Sequence, residues 1–364
     1  MSQTEECWNA ESARRLEQGD GLEFTLAQFA NAVGAPEDEK ALKDFLDTIA
    51  ASPKADKVKA YRCPVCECNR VLSPAGAPYT ICPHCHTDYQ EEGLELFVEY
   101  FYCLKGKTSR DIRWMVVIHG MNSRAKWQEE FCWQIAKRLS HSAPVLIYKY
   151  GWATIDVLVR WLHRRLAKRL GERIRIAIDQ AIDSHRPARP DVIAHSFGTH
   201  LLSLILEDPD FEDLKFGRII TAGSIVRPDF DWKSQIASER IEAVLNHVAA
   251  KDMAVPFAQY AIPGAGPGGK VGYTQNAVLN VRNQNFGHSD FFEPDNLRVL
   301  IKDGGLWHNF LTHPLAHLQP QGAFALERAW RPAPLVVRGL TRTVGYALFC
   351  IAAPFSWIRR QLDP

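Results

Sequence analysis

Between Met115 and Val281 the chain alternates short apolar runs with helical patterns, and no other feature limits its fold so strongly. The runs are Met115–Ile118, Val145–Tyr148, Val192–Ala194, Arg218–Ala222, Ala243–Val248 and Val278–Val281. Brief apolar runs of this kind read as strands buried on both faces. Helical patterns separate the earlier ones. The longest extends from about Thr154 to Ser184, with Leu158, Leu162, Leu166, Leu170, Ile174, Ile178 and Ile182 spaced four apart. This alternation predicts an α/β fold, a mostly parallel sheet with helices on both faces. No internal repeat is present.

One strand in the series leads into an unusual turn. Residues 189–200 read Arg-Pro-Asp-Val-Ile-Ala-His-Ser-Phe-Gly-Thr-His, and a helical run, Leu201–Leu206, follows. A strand, then small-x-Ser-x-Gly, then a helix is the pattern of a nucleophile elbow. The turn is tight, so the residues two before and two after the serine must be small. Gly198 meets this fully. Ala194 stands where a glycine is usual, a departure of one methyl group. Such an elbow raises Ser196 at the carboxyl end of the sheet, with a helix amino terminus and the Phe197 N–H behind it. Upstream, Trp114-Met-Val-Val-Ile-His119-Gly120-Met121-Asn122 is a strand ending in His-Gly.

On these motifs the chain resembles the lipase and esterase branch of the α/β-hydrolase superfamily, over roughly residues 112–315. The resemblance implies that the loop after the His-Gly strand donates a backbone N–H to an oxyanion, which assigns that role to Met121 beside Phe197. It also implies a catalytic triad in the order serine, acid, histidine. The matching acid is Asp252, where the apolar run Ala243–Val248 gives way to a loop; Asp229 and Asp231 are alternatives. The matching histidine is His288 in Asn285-Phe-Gly-His-Ser-Asp290, with His308, His313 and His317 further downstream. In this chemistry His288 takes the proton of Ser196, and Asp252 fixes the imidazole tautomer. Blander roles compete at each position: Ser196 or Asp252 as helix caps, Asp290 as a cap, His119 and His195 as packing residues. The expected activity is hydrolysis of an ester-type bond, carboxylic ester or lipid, through an acyl-enzyme and without a catalytic cofactor. The competing reading is a non-catalytic hydrolase-fold scaffold whose N-terminal pieces bind a protein or nucleic acid. A third is a membrane-associated phospholipase or acyltransferase. The Pro- and Gly-rich stretch Gln259–Gly272 reads as a mobile loop or lid.

Ahead of this region lies Cys63-Pro-Val-Cys66, fifteen residues, then Cys82-Pro-His-Cys85. Two C-x-x-C pairs at this distance predict a zinc ribbon, with Cys63, Cys66, Cys82 and Cys85 as a closed tetrahedral thiolate set. The zinc is expected to be structural, because a catalytic ion needs an open position. Four buried thiols are the alternative. The start, Met1-Ser2-Gln3-Thr4-Glu5-Glu6, lacks the basic and apolar stretches of a secretory signal. With an odd count of nine cysteines, reduced thiols and a cytoplasmic protein are expected.

Residues 9–50 carry helical spacing in Leu22, Leu26, Phe29 and Val33, and again in Leu42, Phe45, Leu46 and Ile49. The resulting plan is a helical, winged-helix-like or plain adaptor over 1–60, the ribbon over 61–92, the hydrolase domain over 93–330 and a tail over 331–364. Lys plus Arg number 43 against 42 Asp plus Glu. That balance excludes a generally basic nucleic-acid coat. It conceals a net of −7 in residues 1–50 and +4 in residues 331–364. Arg160, Arg164, Arg165, Lys168, Arg169, Arg173 and Arg175 give the long helix a basic face. That face is either simply solvated or attracted to an anionic surface. In the tail, Val337, Leu340, Val344, Leu348, Ile351, Phe355 and Ile358 form a helical stripe flanked by arginines. Docking on the core, peripheral membrane contact and contact with another copy compete there. Residues 1–92 are the candidate surface for a protein partner.

Overall fold

A computed structural model describes residues 3–18, 23–34, 39–52, 55–62, 64–65, 87–104, 114–120, 145–148, 159–183, 189–275, 277–313, 315 and scattered positions between 332 and 347. The N-terminal unit contains α1 (Gln3–Gln18), β1 (Glu23–Thr25), α2 (Leu26–Ala32), α3 (Glu39–Ala50), β2 (Ala55–Arg62) and β3 (Phe97–Leu104). Thr25 starts α2 with a reciprocal cap. Its hydroxyl accepts from Gln28 N at 3.2 Å, and the Gln28 side chain accepts from Thr25 N at 2.8 Å. The strands pair antiparallel in the order β1-β3-β2. Trp8, Phe24, Phe29, Leu42, Leu46, Tyr102 and Leu104 fill the space between helices and sheet.

Two expectations change here. Residues 23–25 are a strand, so the helix read across Leu22 to Val33 begins only at Leu26. Residues 97–104, placed beyond the boundary at 93, form the middle strand of the N-terminal sheet. Arg62 faces Phe97 in the β2–β3 register. Both cysteine pairs therefore lie in an excursion that leaves and returns through one hairpin neck. The four cysteines themselves lie outside the described residues. Among the described residues no cluster of three or more His, Cys, Asp or Glu side chains is placed to hold a metal.

The larger unit is mixed α/β. Its elements are β4 (Met115–Ile118), β5 (Val145–Tyr148), α4 (Arg160–Asp183), β6 (Asp191–His195), α5 (Phe197–Glu207), β7 (Phe216–Ala222), α6 (Trp232–Ala237), β8 (Ile241–Ala249), α7 (Ala254–Ala261), α8 (Gly268–Val271), β9 (Val278–Asn283), α9 (Pro294–Ile301) and α10 (Leu306–Thr312). Each of the six apolar runs becomes a strand. All pair parallel, in the order β5-β4-β6-β7-β8-β9. Because side chains alternate across a sheet, one set faces α4 and α5: Val116, Val192, Ile219 and Val244 pack with Leu170, Ile174, Leu201 and Ile205. The other set, Met115, Ile193, Ile220 and Leu245, packs with Leu297, Ile301, Trp307 and Phe310 of α9 and α10. The strand order reverses at β4, with β5 on one side and β6 on the other. Such a reversal opens a crevice at the carboxyl ends of the two strands where it occurs.

The Gln259–Gly272 stretch is a built part of the wall rather than a lid. It contains α8, and Gly266, Gly268 and Gly269 donate backbone hydrogen bonds to Ile225, Val226 and Ser224. In the C-terminal tail, Leu335, Val336, Leu340 and Val344 are exposed. No helix among the described residues is long and apolar enough to cross a membrane.

The N-terminal unit docks at the amino ends of β7 and β8, opposite the crevice. Fully buried Arg218 meets Glu242 at 3.2 Å and Glu23 at 3.8 Å, and donates to the Phe310 carbonyl. Glu23 also accepts from Leu315 N at 2.7 Å. Arg15 pairs with Glu239 at 2.9 Å, just before β8. A buried charge of this kind is tolerated only with partners on every side.

Candidate active site

The crevice at the reversal holds Ser196. It sits between β6 and α5 with φ 52° and ψ −124°. A non-glycine residue rarely adopts positive φ, and such strain collects at functional sites. The surroundings enforce it. Ser196 N donates to Ala222 O of β7, and its carbonyl accepts from Thr199 N at 3.0 Å and Thr199 Oγ1 at 2.6 Å. Gly198 is required by close approach, since a Cβ there would stand 2.3 Å from the Ile118 carbonyl of β4. Ala194 is fully buried in β6, whose backbone runs between β4 and β7, and its single methyl group lies in the core on the α4 and α5 face.

Ser196 Oγ lies 2.9 Å from His288 Nε2. The other ring nitrogen, Nδ1, lies 2.7 Å from Asp252 Oδ2. His288 comes from the loop after β9, which Asp290 ties down by accepting from Gly287 N at 2.8 Å. Asp252 follows β8 and is fully buried. It does two jobs. Its Oδ1 accepts from Ala254 N and Val255 N at the start of α7, while Oδ2 faces His288. Burial by itself raises the Asp252 pKa. The hydrogen bond and charge of His288, with the two amides, outweigh that and hold the carboxyl below its ordinary value. Asp252 is thus an anion aimed at an imidazole that faces a hydroxyl.

The alternatives lie elsewhere. Asp229 is beside Arg227 at 3.4 Å. Asp231 caps α6 by accepting from Ser234 N. His308 lies near Asp303 and stacks edge-on with His313. His317 and Met121 lie outside the described residues. Phe197 is the first residue of α5, where backbone N–H groups point out of the helix. Gly120 passes directly over the serine; a Cβ on it would lie 2.7 Å from Ser196 Cβ.

Two supports were not foreseen from sequence. His195, read as a packing residue, also holds the site together. Its Nε2 lies 2.9 Å from the His288 carbonyl, and its ring packs 4.9 Å from both His288 and Phe292. Burial, aided by the charge of His288, pushes the His195 pKa down to about 3, so the ring is neutral and Nε2–H can donate. The second is a buried polar lattice behind the elbow. Ser224 Oγ meets Thr199 Oγ1 at 3.2 Å and Tyr273 OH at 2.7 Å, and Asn246 links Thr221 to Asn280. Scattered single Ser, Thr, Asn and Tyr residues carry no local sequence signal for such a lattice.

No family model matches the chain, and no curated protein matches it. Among solved structures, a predicted CIB-like hydrolase from Thermoplasma acidophilum is similar over 57% of this chain and 90% of its own, with 16% identity and a TM-score of 0.29. That overlap is too loose to bear on function.

Proposed function

We propose that the chain is a serine hydrolase of the α/β-hydrolase type, similar to lipases and esterases, acting on a carboxylic or lipid ester. One observation carries the reading: a strained serine within 2.9 Å of a histidine whose far nitrogen is 2.7 Å from a buried aspartate. Ser196 Oγ adds to the ester carbonyl carbon while its proton passes to His288 Nε2. The tetrahedral intermediate expels the alcohol, which takes that proton, and leaves an acyl-enzyme. Water repeats the sequence and releases the acid. Asp252 holds Nδ1–H and stabilises the imidazolium. The N–H groups of Phe197 and Met121 are the proposed oxyanion donors. The test is hydrolysis of esters of graded chain length by wild type and Ser196→Ala. Loss of about 10³-fold or more is expected. Undiminished hydrolysis by the variant overturns the reading.

Cys63, Cys66, Cys82 and Cys85 are the proposed ligands of one structural zinc. Their donor chemistry fits, and the hairpin neck at Arg62 and Phe97 supports it by bringing both ends of the excursion together. Exposed Leu335, Val336, Leu340 and Val344 support a peripheral membrane contact through the tail.

A further inference from the structure

A cavity of about 90 Å³, whose lining does not include Ser196, opens between the start of α4 and the side of α5 that runs from His200 to Glu207. Arg160 and Arg164 of α4, His200 and Glu207 of α5, and Arg227 after β7 contribute to its lining. Three arginines and one glutamate, all exposed to solvent, thus ring its mouth. Glu207 is 3.8 Å from Arg227, which also has Asp229 at 3.4 Å. Arg160 and Arg164 have no ion-pair partner among the described residues. They sit in the first two turns of a 24-residue helix with no acidic residue in its first turn. Cations at that end oppose the helix dipole, and an anion there relieves both effects.

His200 supplies the independent observation. It is 3% exposed and lines the cavity. Its Nε2 is 3.3 Å from His163 Nδ1, while its own Nδ1 makes no hydrogen bond among the described residues. Burial, then the neighbouring charges of His163, Arg160 and Arg227, push its pKa down to about 3. The ring is neutral. An acceptor in the cavity would select the tautomer with Nδ1–H, leaving Nε2 to accept from His163.

We propose that this cavity binds a phosphate-type tetrahedral oxyanion, held by Arg160, Arg164 and Arg227 with His200 Nδ1–H as a fourth donor. The anion is either free phosphate or the terminal phosphomonoester of a lipid. The site does not depend on ester hydrolysis.

The test uses the full chain at low ionic strength, with two probes. One is inorganic phosphate, followed by titration calorimetry. The other is phosphatidylcholine vesicles with and without phosphatidic acid, followed by flotation. Arg160→Ala/Arg164→Ala removes two cavity arginines. Arg165→Ala/Arg169→Ala removes the same charge from equally exposed positions of the same helix that do not line the cavity. Saturable binding that falls about ten-fold or more in the first pair and stays within about two-fold in the second is expected. If phosphate binds in this way, the free anion is the ligand source. If only phosphatidic acid vesicles do, the lipid is. Absence of binding to both probes, or equal loss in both pairs, overturns the site.

Discussion

Each member of the proposed triad is held by a further hydrogen bond as well as by its partner. Asp252 spends one oxygen on the amides of Ala254 and Val255 and the other on His288. His288 is fixed through its carbonyl by His195. For the proposed reaction that bond makes His195 a candidate positioning residue: it anchors the His288 backbone without touching Ser196 Oγ through its ring nitrogen. His195→Ala is expected to lower kcat about ten-fold with little change in KM, and to shift the acidic limb of the pH–rate profile. His195→Gln, which keeps a donor, should recover part of the loss. Equal kcat and an unmoved pH profile in the alanine variant would show that the ring only fills space.

Among the elements, what was legible in the sequence is what is local. The segment from Ala194 to Gly198 announces its own turn, because the spacing of small residues is the steric condition for it. Asp252 and His288 were legible as loop residues after apolar strands. The antiparallel partner of β2 was not, since Arg62 and Phe97 meet across the cysteine-bearing excursion and pairing at that distance leaves no periodicity. The stripe on α4 was legible only in part. Residues four apart drift by about 40° per step on a 3.6-residue helix, so a row from Leu158 to Ile182 cannot stay on one face. The buried face instead runs through His163, Ala167, Leu170, Ile174, Ile178 and Ala181. This rotation brings His163 to His200. The hairpin excursion makes its own prediction. One zinc per chain is expected by elemental analysis, falling to near zero in Cys82→Ser, with ester hydrolysis retained because the N-terminal unit docks away from the crevice. A metal-free wild type would contradict it.

For the whole molecule, three buried histidines set the response to acid. His195, His200 and His247 are each pushed down to about 3, with burial the leading cause in every case. In the unfolded chain they protonate near pH 6.5. Between those values the unfolded state binds protons that the folded state refuses, so stability is complete above about pH 6.5 and declines as pH falls toward 3. The lowered Asp252 acts in the same direction at the acid end. The urea midpoint should drop from about pH 7 to about pH 5, by the equivalent of roughly 1 kcal/mol per pH unit or more. A flat midpoint over that range would mean that these rings are hydrated. The two units also divide their tasks by position. Arg15, Glu23 and Arg218 join them at the amino ends of the strands, leaving the carboxyl ends to the proposed chemistry. The most direct measurement of that chemistry is covalent labelling of the full chain with a fluorophosphonate probe, followed by peptide mapping. Labelling at Ser196, abolished in Ser196→Ala and strongly slowed in Asp252→Asn, is the expected result. An unlabelled wild type, or a label on another residue that survives Ser196→Ala, would contradict the assignment of Ser196 as the nucleophile.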